Sequence, residues 1–330
     1  ARFREDFLLS RLERAQIASL ALLAAEDMID DELERELLQN ADVFNVVLRR
    51  DQARQLILSS PIPGPVVASY DLLIGYTGIV SFAHTMFFGF GAYGAAILLR
   101  VMGPGWDAVL LGGLAGVLVS LVVASAVGLL SLRVKAIFFA MITLAAASVA
   151  LVLASQLSDL TGGEDGITYR APELFKTATK LMVDEDGKVV RLFGVKLNGK
   201  LAAYYFVFAS SLLLFIVMLR VVSAPLGTVL KAIRENEARA EAIGYRVVSY
   251  RTFVFCIAAL VASLADTIYA IWLKYTGPDT ALSFAIMIDI LLMVVIGGMG
   301  TMWGAVIGAT MLVLAQYYLR DLMGAAAEAT

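Results

Sequence analysis

Long apolar runs dominate the sequence and restrict what the chain can fold into. A helix needs about 20 apolar residues to cross a hydrocarbon core of about 30 Å. Charged residues make up only 17% of the chain, against about 25% in soluble domains. The sequence therefore predicts an all-α, polytopic transmembrane helix bundle of about seven to nine membrane segments. The apolar runs, of which the last two are short, fall near residues 62–82, 84–102, 106–131, 136–157, 201–222, 252–273, 284–298 and 303–319.

Charge and cysteine content exclude several classes of protein. A formal net charge of −3 is too small to indicate a nucleic-acid partner. Cys256 is the single cysteine, which excludes an internal disulfide and a cysteine metal cluster, so we expect no metal site. The N-terminal stretch "ARFREDFLLSRLERAQ" is charged throughout and shows no signal-peptide pattern.

Residues 1–60 differ from the rest of the chain. The apolar stretch "AQIASLALLAA" has only 11 residues, too few to span a bilayer. The acidic run "EDMIDDELERELLQNADVF" follows, with Met28, Leu33, Leu37 and Leu38 at helical spacing. We interpret residues 1–60 as a charged amphipathic segment that forms surface helix. A partly disordered extension carries equal weight.

The remaining chain divides at its polar segments. Within the polar insert, short apolar stretches flank Asp186 and Gly187, a pattern that predicts a β-hairpin. The predicted segments are membrane helices in 61–157, a loop insert in 158–200, membrane helices in 201–319 that include a basic loop at 223–251, and a C-terminal tail at 320–330.

Positive charge predicts the orientation of the loops. Residues 220–251 are rich in arginine and lysine close to helix ends, and the short link with Arg133 and Lys135 is also basic. Basic loops stay in the cytoplasm. One predicted crossing (136–157 or 201–222) separates each of these loops from residues 158–200, so we expect that insert to be extracytoplasmic.

Glycines suggest close packing and a passage. Small residues four apart let membrane helices approach each other, as at Gly112 and Gly116. Glycines are denser at "GYTG" and "IGGMGTMWG", where we expect broken helix. Irregular backbone at membrane depth is tolerated only inside protein or beside a watery cavity. His84 is the single histidine, and a packed, hydrogen-bonded ring is the favoured interpretation over a switch.

The basic loop contains a predicted helix. "KAIRENEARAEAIGY" reads as one short helix with Glu235 and Arg239 four residues apart, in the favourable order for an ion pair. Gly244 suits its C-terminal cap.

Five motifs in order carry a family resemblance. They are "LLIGYTGIVSFAHTMFFGFGAYGAA", "RVKAIFFAMITLAAA", "LTGGEDGI", "AIRENEARAEAIGY" and "ILLMVVIGGMGTMWGAVIGA". Together, over roughly residues 69–315, they resemble the membrane-spanning permease subunit of branched-chain amino-acid ABC importers. The chain has Asp71 where the family usually has asparagine, and Ala83 where it usually has glycine.

The resemblance implies a transporter subunit of a bacterial or archaeal inner membrane, with several passes. It implies uptake of branched-chain or other small amino acids, together with a second related permease subunit, two ATP-binding subunits and a soluble substrate-binding protein. No G-x-x-x-x-G-K-[ST] phosphate loop occurs in the sequence, so ATP and Mg would bind the partner subunits and this chain would bind no cofactor.

Other functions stay open at this point. A permease for urea or short amides fits the same resemblance. A proton-coupled secondary carrier would use the aspartates in apolar segments, Asp71, Asp266 and Asp289. A variant that no longer transports is a further alternative. An intramembrane enzyme is disfavoured because no His-Glu-x-x-His or Gly-x-Ser-x-Gly motif is present, and we assign no catalytic residue.

The resemblance also implies three groups of site residues. The ATPase-contacting coupling loop would use Arg234, Glu235, Glu237, Ala238, Arg239, Ala240 and Gly244. The translocation pathway would use Gly75, Tyr76, Gly78, Ser81, His84, Phe88, Gly297, Gly298 and Gly300. The external loop would use Thr161, Gly162, Gly163, Asp165 and Gly166.

Overall fold

The structure, a computed structural model, shows two compact units, Ala1–Ser60 and Pro61–Thr330. It describes residues 47–50, 53–56, 63–131, 136–175, 191–192, 195–196 and 199–328.

The described part of the first unit is a β-hairpin. Strands β1 (Val47–Arg50) and β2 (Ala53–Leu56) pair antiparallel, with Val47 opposite Leu56. The prediction of helix is therefore wrong for these residues. The acidic run with Met28, Leu33, Leu37 and Leu38 lies outside the described residues.

The second unit is helical. Its helices are α1 (Gly64–Thr77), α2 (His84–Met102), α3 (Trp106–Ser131), α4 (Ala136–Gln156), α5 (Ser158–Thr161), α6 (Gly199–Ser223), α7 (Pro225–Glu235), α8 (Glu237–Ala242), α9 (Val247–Leu273), α10 (Pro278–Ala281), α11 (Phe284–Gly297) and α12 (Met302–Glu328). Short 3₁₀ turns lie at Gly163–Asp165 and Glu173–Phe175.

Six stretches of helix within the described residues are long and apolar enough to cross a membrane. They are α2, α3, α4, α6, α9 and the stretch Pro278–Gly297, which joins α10 and α11. Met302–Gln316 of α12 is a shorter apolar helix. The predicted polytopic helical bundle is confirmed.

Burial separates central helices from peripheral ones. α1 is buried at every position from Pro65 to Thr77, and α9, α11 and α12 pack beside it. By contrast, α4 and α6 expose large apolar side chains such as Phe138, Met141 and Leu213. A soluble protein rarely exposes so much contiguous apolar surface, which is the pattern expected of helices that face lipid.

Glycine allows the central helices to touch backbone to backbone. A Cβ added to Gly91 would lie 2.9 Å from the Cα of Ser263, so α2 and α9 are in direct contact there. A Cβ added to Gly116 would lie 3.0 Å from the Cα of Gly91, which brings α3 onto the same part of α2. The prediction that spaced glycines pack the helices is confirmed at these positions.

The two main loops lie at opposite ends of the bundle. α8 precedes α9, and strand β6 (Tyr275–Thr276) follows it. Strand β3 (Ile167–Thr168), from the insert, pairs antiparallel with β6. The insert and the basic loop are thus separated by the length of α9, as predicted, and which end faces the cytoplasm stays a prediction.

The insert contains a short hairpin. Strands β4 (Arg191–Leu192) and β5 (Val195–Lys196) pair antiparallel. The turn predicted at Asp186 and Gly187 lies outside the described residues.

Labelling of two exposed positions would test the orientation. In a Cys256→Ala background, Arg170→Cys should react with a membrane-impermeant maleimide in intact cells, and Glu241→Cys only after lysis. Both side chains are exposed, at opposite ends of α9. Labelling of Glu241→Cys in intact cells, with Arg170→Cys protected, would contradict the orientation drawn from positive charge.

Candidate functional site

α1 is too short to cross a bilayer. Its 14 residues extend for about 21 Å at 1.5 Å per residue. The helix ends at Gly78, whose φ of 71° is left-handed. The last four carbonyl groups of any helix lack a partner within it, and inside a membrane each must find one elsewhere. The predicted break in the helix at "GYTG" is confirmed.

α11 leads into a glycine turn. It has 14 residues and stops at Gly297. Gly298 and Gly300 then take φ values of 96° and 84°, which residues with a Cβ rarely adopt. Gly297 packs against α12, because a Cβ placed on it would lie 3.0 Å from the Gly308 nitrogen. The predicted break at "IGGMGTMWG" is confirmed as well.

The two broken ends meet. A Cβ added to Gly75 would lie 2.7 Å from the Gly300 Cα and closer still to the Gly300 nitrogen. The Gly300 N–H donates a 2.8 Å hydrogen bond to Oδ1 of Asp71, a fully buried side chain on α1. Asp71 therefore ties the glycine turn to α1.

A basic side chain from α7 completes this junction. Arg234 donates a hydrogen bond from Nη1 to the Gly75 carbonyl oxygen. A Cβ added to Gly300 would lie 3.0 Å from the same nitrogen. Lys231, one turn earlier on α7, places its ammonium 5.3 Å from the centroid of the Tyr76 ring. We call these residues the junction: Asp71, Gly75, Tyr76, Gly78, Lys231, Arg234 and Gly300.

The junction unites two groups of residues that sequence reasoning kept apart. Arg234 was predicted for the coupling loop, and the glycines for the pathway. Asp71 was noted as a membrane aspartate without a place in either group, and Lys231 was missed. The available signal was its spacing, since Lys231 and Arg234 are three residues apart and share one face of a helix.

The basic loop contains two helices where one was predicted. α7 ends at Glu235 and α8 begins at Glu237. Asn236 between them is extended, and its side-chain oxygen accepts a 2.9 Å hydrogen bond from the Arg239 N–H. Asparagine is a strong N-cap because it satisfies an orphan donor of the new helix. Glu235 and Arg239 consequently lie on different helices, and the predicted spacing within one helix is wrong.

The predicted cap at Gly244 is confirmed. Its φ is 97°, its N–H donates to the Glu241 carbonyl, and the Tyr245 N–H donates to the Ala240 carbonyl. These two bonds and the left-handed glycine make a Schellman motif. The motif turns the chain from α8 into α9.

The other coupling-loop residues divide into exposed and anchoring positions. Ala238 and Arg239 are exposed. Ala240 is buried in a small cluster with Ile233 and Val247. Glu237 pairs with Arg251 on α9 at 2.9 Å, and an exposed pair of this kind contributes little stability. α8 thus presents a charged outer surface on a small apolar base.

His84, Ser81 and Phe88 pack at the start of α2. Nε2 of His84 lies 2.8 Å from Oγ of Ser69, whose hydroxyl donates to the Val66 carbonyl. The Ser69 hydroxyl thus links the imidazole to the backbone of α1. Ser81 is fully buried and accepts a 3.3 Å hydrogen bond from the Ala83 N–H, and Phe88 is buried as well. The favoured interpretation of His84 as a packed ring agrees with these contacts.

The external-loop residues form an ordered turn. Gly162, Gly163 and Gly166 have φ values of 75°, 62° and 68°. Thr161 donates from Oγ1 to the carbonyl of Ala154, and the backbone carbonyl of Asp165 accepts from the Tyr275 hydroxyl at 3.1 Å. This turn is therefore held against the end of α4 and the segment that follows α9.

Tyr169 anchors the same loop and was not singled out from the sequence. Its hydroxyl donates to the Ala270 carbonyl at 2.9 Å and lies 3.0 Å from the Thr276 hydroxyl. Burial raises the pKa of Tyr169 well above its usual value, so the phenol stays neutral and keeps donating.

Comparison with known proteins identifies relatives. A family model described as "Branched-chain amino acid transport system / permease component" matches residues 54–330. The high-affinity branched-chain amino acid transport system permease protein LivM of Salmonella typhimurium is 28% identical over 259 residues. LivM of Escherichia coli is 27% identical over 263 residues. Each alignment covers 76% of this chain and 60% of the relative, so the chain spans about 60% of the length of the curated relatives it matches. No solved structure matches the chain.

Replacing Gly75 would test the contact between the broken helices. Gly75→Ala forces a Cβ into Gly300 and Asp71, and such overpacking costs about 1–3 kcal/mol. We expect a lower melting temperature in detergent, measured by fluorescence-detected size exclusion after heating. Gly64→Ala is the matched control on the same helix, because a Cβ there meets nothing within 4 Å. Equal melting temperatures would contradict the contact.

Proposed function

The chain belongs to the family of branched-chain amino acid transport system permease components, and from this membership we propose that it is the membrane-spanning subunit of an ATP-driven amino-acid importer. Its relatives are transport permeases and not enzymes. The observation that carries the proposal is the family match over residues 54–330, which covers the junction and the basic loop. Candidate membrane spans in the same region support a multi-pass membrane protein.

Branched-chain amino acids are the proposed substrates. The names of both LivM relatives state this transport activity. Leucine, isoleucine and valine share an apolar side chain and a zwitterionic backbone. A permease for urea or short amides is the alternative within the same family, and competition with leucine uptake distinguishes the two.

α7 and α8 are the proposed contact with the ATP-binding subunits. They lie at one end of the bundle, present exposed Glu235, Ala238 and Arg239, and adjoin the broken end of α1 through Arg234. ATP and Mg would bind to those partner subunits. A displacement of α7 by those subunits could therefore be transmitted through Arg234 to α1, although this chain would bind no nucleotide.

The other partners follow from the same proposal. A second, related permease would complete the membrane part. A soluble substrate-binding protein would meet the opposite end, where residues 158–175 form an ordered surface against β6. The proposed location is the inner membrane of a bacterium or archaeon.

A proton-coupled carrier is the second candidate, and one observation favours it. Asp266 on α9 is buried, and its Oδ2 has no hydrogen-bond partner among the described residues. Ionisable groups inside the membrane commonly mark proton or ion pathways. The energy source for uptake separates this candidate from the ATP-driven importer.

Uptake in proteoliposomes tests the proposal. The chain is coexpressed with its partner subunits, reconstituted, and supplied with labelled leucine and the binding protein. We expect uptake that requires ATP and persists when the proton gradient is collapsed. Uptake that follows the proton gradient without ATP would establish the carrier instead.

A bulky residue on α8 should uncouple the two activities. Ala238→Trp enlarges an exposed position on α8, and we expect leucine uptake per ATP hydrolysed to fall about 10-fold, within the range of typical coupling energies. Ala145→Trp, an exposed alanine on α4, is the control and should leave the ratio unchanged. Equal ratios in the two variants would count against α8 as the contact.

A further inference from the structure

We propose that Asp71 and Arg234 are positioning residues that clamp α7 to the two broken helix ends and keep the passage closed at that end of the bundle. The inference rests on the proposed function and adds to it the side chains through which motion of α7 reaches the membrane helices. It predicts that the passage opens at this end when Arg234 leaves the Gly75 carbonyl.

The first argument is the chemistry at the end of α1. The C-terminus of a helix carries a partial negative charge and orphan carbonyls. Thr77 folds its hydroxyl back onto the Leu73 carbonyl, and Arg234 donates to the Gly75 carbonyl. A cation supplied from another helix thus caps α1, so the exposed α7 and the buried α1 share a charge-assisted bond.

The second argument is that the bond reaches two helices at once. Gly75 lies directly against Gly300, and the Gly300 N–H is held by Asp71. No side chain separates the two backbones at this point, because both residues are glycine. A shift of the Gly75 carbonyl therefore displaces the glycine turn as well.

The third argument is that α7 is suited to move. It is bounded by Ala224 and Asn236, both extended, with ψ values of 164° and 98°. Such element-terminal residues are where hinge motion is absorbed. Only Gly227, Leu230 and Ile233 of its 11 residues are buried, so its apolar anchorage is small. The polar contact from Arg234 is then a substantial part of what holds α7 in place.

The fourth argument concerns the second carboxyl oxygen of Asp71. Oδ2 of Asp71 is buried without a hydrogen-bond partner among the described residues, and the Arg234 guanidinium lies nearby at the carbonyl of Gly75, a residue that packs directly against the Asp71 side chain. Burying an unpaired carboxylate oxygen is costly. The nearby cation offsets that cost while α7 is docked, which makes the docked arrangement the favoured one.

The test measures closure directly, in the assembled and reconstituted transporter. Ile79→Cys is introduced in a Cys256→Ala background, because Ile79 is buried just beyond the break in α1. Its reaction with an impermeant maleimide is followed from the side on which α7 lies, without ATP. We expect Arg234→Gln to raise the labelling rate about 10-fold, as loss of a coupling contact would, and to lower leucine uptake per ATP.

Matched variants distinguish the clamp from general damage. Arg220→Gln makes the same change at an exposed residue on α6 and should label as slowly as the parent. Arg234→Lys keeps the charge and should recover part of the closure. Asp71→Asn keeps an oxygen for Gly300 and should label more slowly than Asp71→Leu. A double variant of Asp71→Leu with Arg234→Gln should label no faster than the faster single variant, since both changes break one unit.

Two results would overturn the clamp. One is an Arg234→Gln labelling rate equal to that of the parent. The other is a parallel increase at Ala258→Cys, a fully buried position on α9, because that would show general loosening. The labelling needs no transport, so a parent transporter that fails to take up leucine with ATP would refute the proposed function while the closure measurement still decides the clamp.

Discussion

The structure depends on how two helices that end at glycine breaks satisfy their backbone groups. A chain surrounded by hydrocarbon cannot leave N–H and C=O groups unpaired, and α1 and α11 each end after 14 residues. At the end of α1, the Gly75 carbonyl accepts a hydrogen bond from Arg234. In the turn after α11, the Gly300 N–H donates a hydrogen bond to Asp71 of α1. The irregular centre therefore uses a basic side chain from α7 together with a carboxyl group from α1.

Close backbone contact is the second constraint, and it explains where the glycines are needed. Lipid gives no hydrophobic drive for one helix to pack on another, so membrane helices rely on close packing. Gly91 and Gly116 bring α2 between α9 and α3, and Gly75 brings α1 onto the turn at Gly300. The contacts at Gly91 and Gly116 join helices along their length. The contact between Gly75 and Gly300 joins two helix ends that are otherwise held by the hydrogen bonds from Arg234 and to Asp71.

Local sequence patterns predicted much of this architecture, whereas contacts between residues far apart in the sequence were not predicted. The apolar runs gave the helices, the dense glycines gave the breaks at Gly78 and Gly298, and Gly244 gave the cap. The split at Asn236 was missed because helical charge spacing outweighed a single capping residue. The bond from Arg234 to Gly75 joins residues far apart in the sequence, and neither composition nor periodicity contains that pairing. The hairpin at Val47–Leu56 was missed because helical periodicity was extended across the whole N-terminal segment.

Asp71 shows why the junction has to be considered as a unit. Aspartate and asparagine could each present an oxygen to the Gly300 N–H from this position. Asparagine brings no charge, whereas aspartate brings a second buried oxygen, for which the described residues provide no hydrogen-bond partner. Loss of a nearby cation leaves a buried carboxylate uncompensated, whereas a neutral amide at the same position would lose no such compensation. In this chain, then, the same substitution of Arg234 should be more disruptive than it would be beside asparagine, and the balance between docked and released α7 is set by two side chains together.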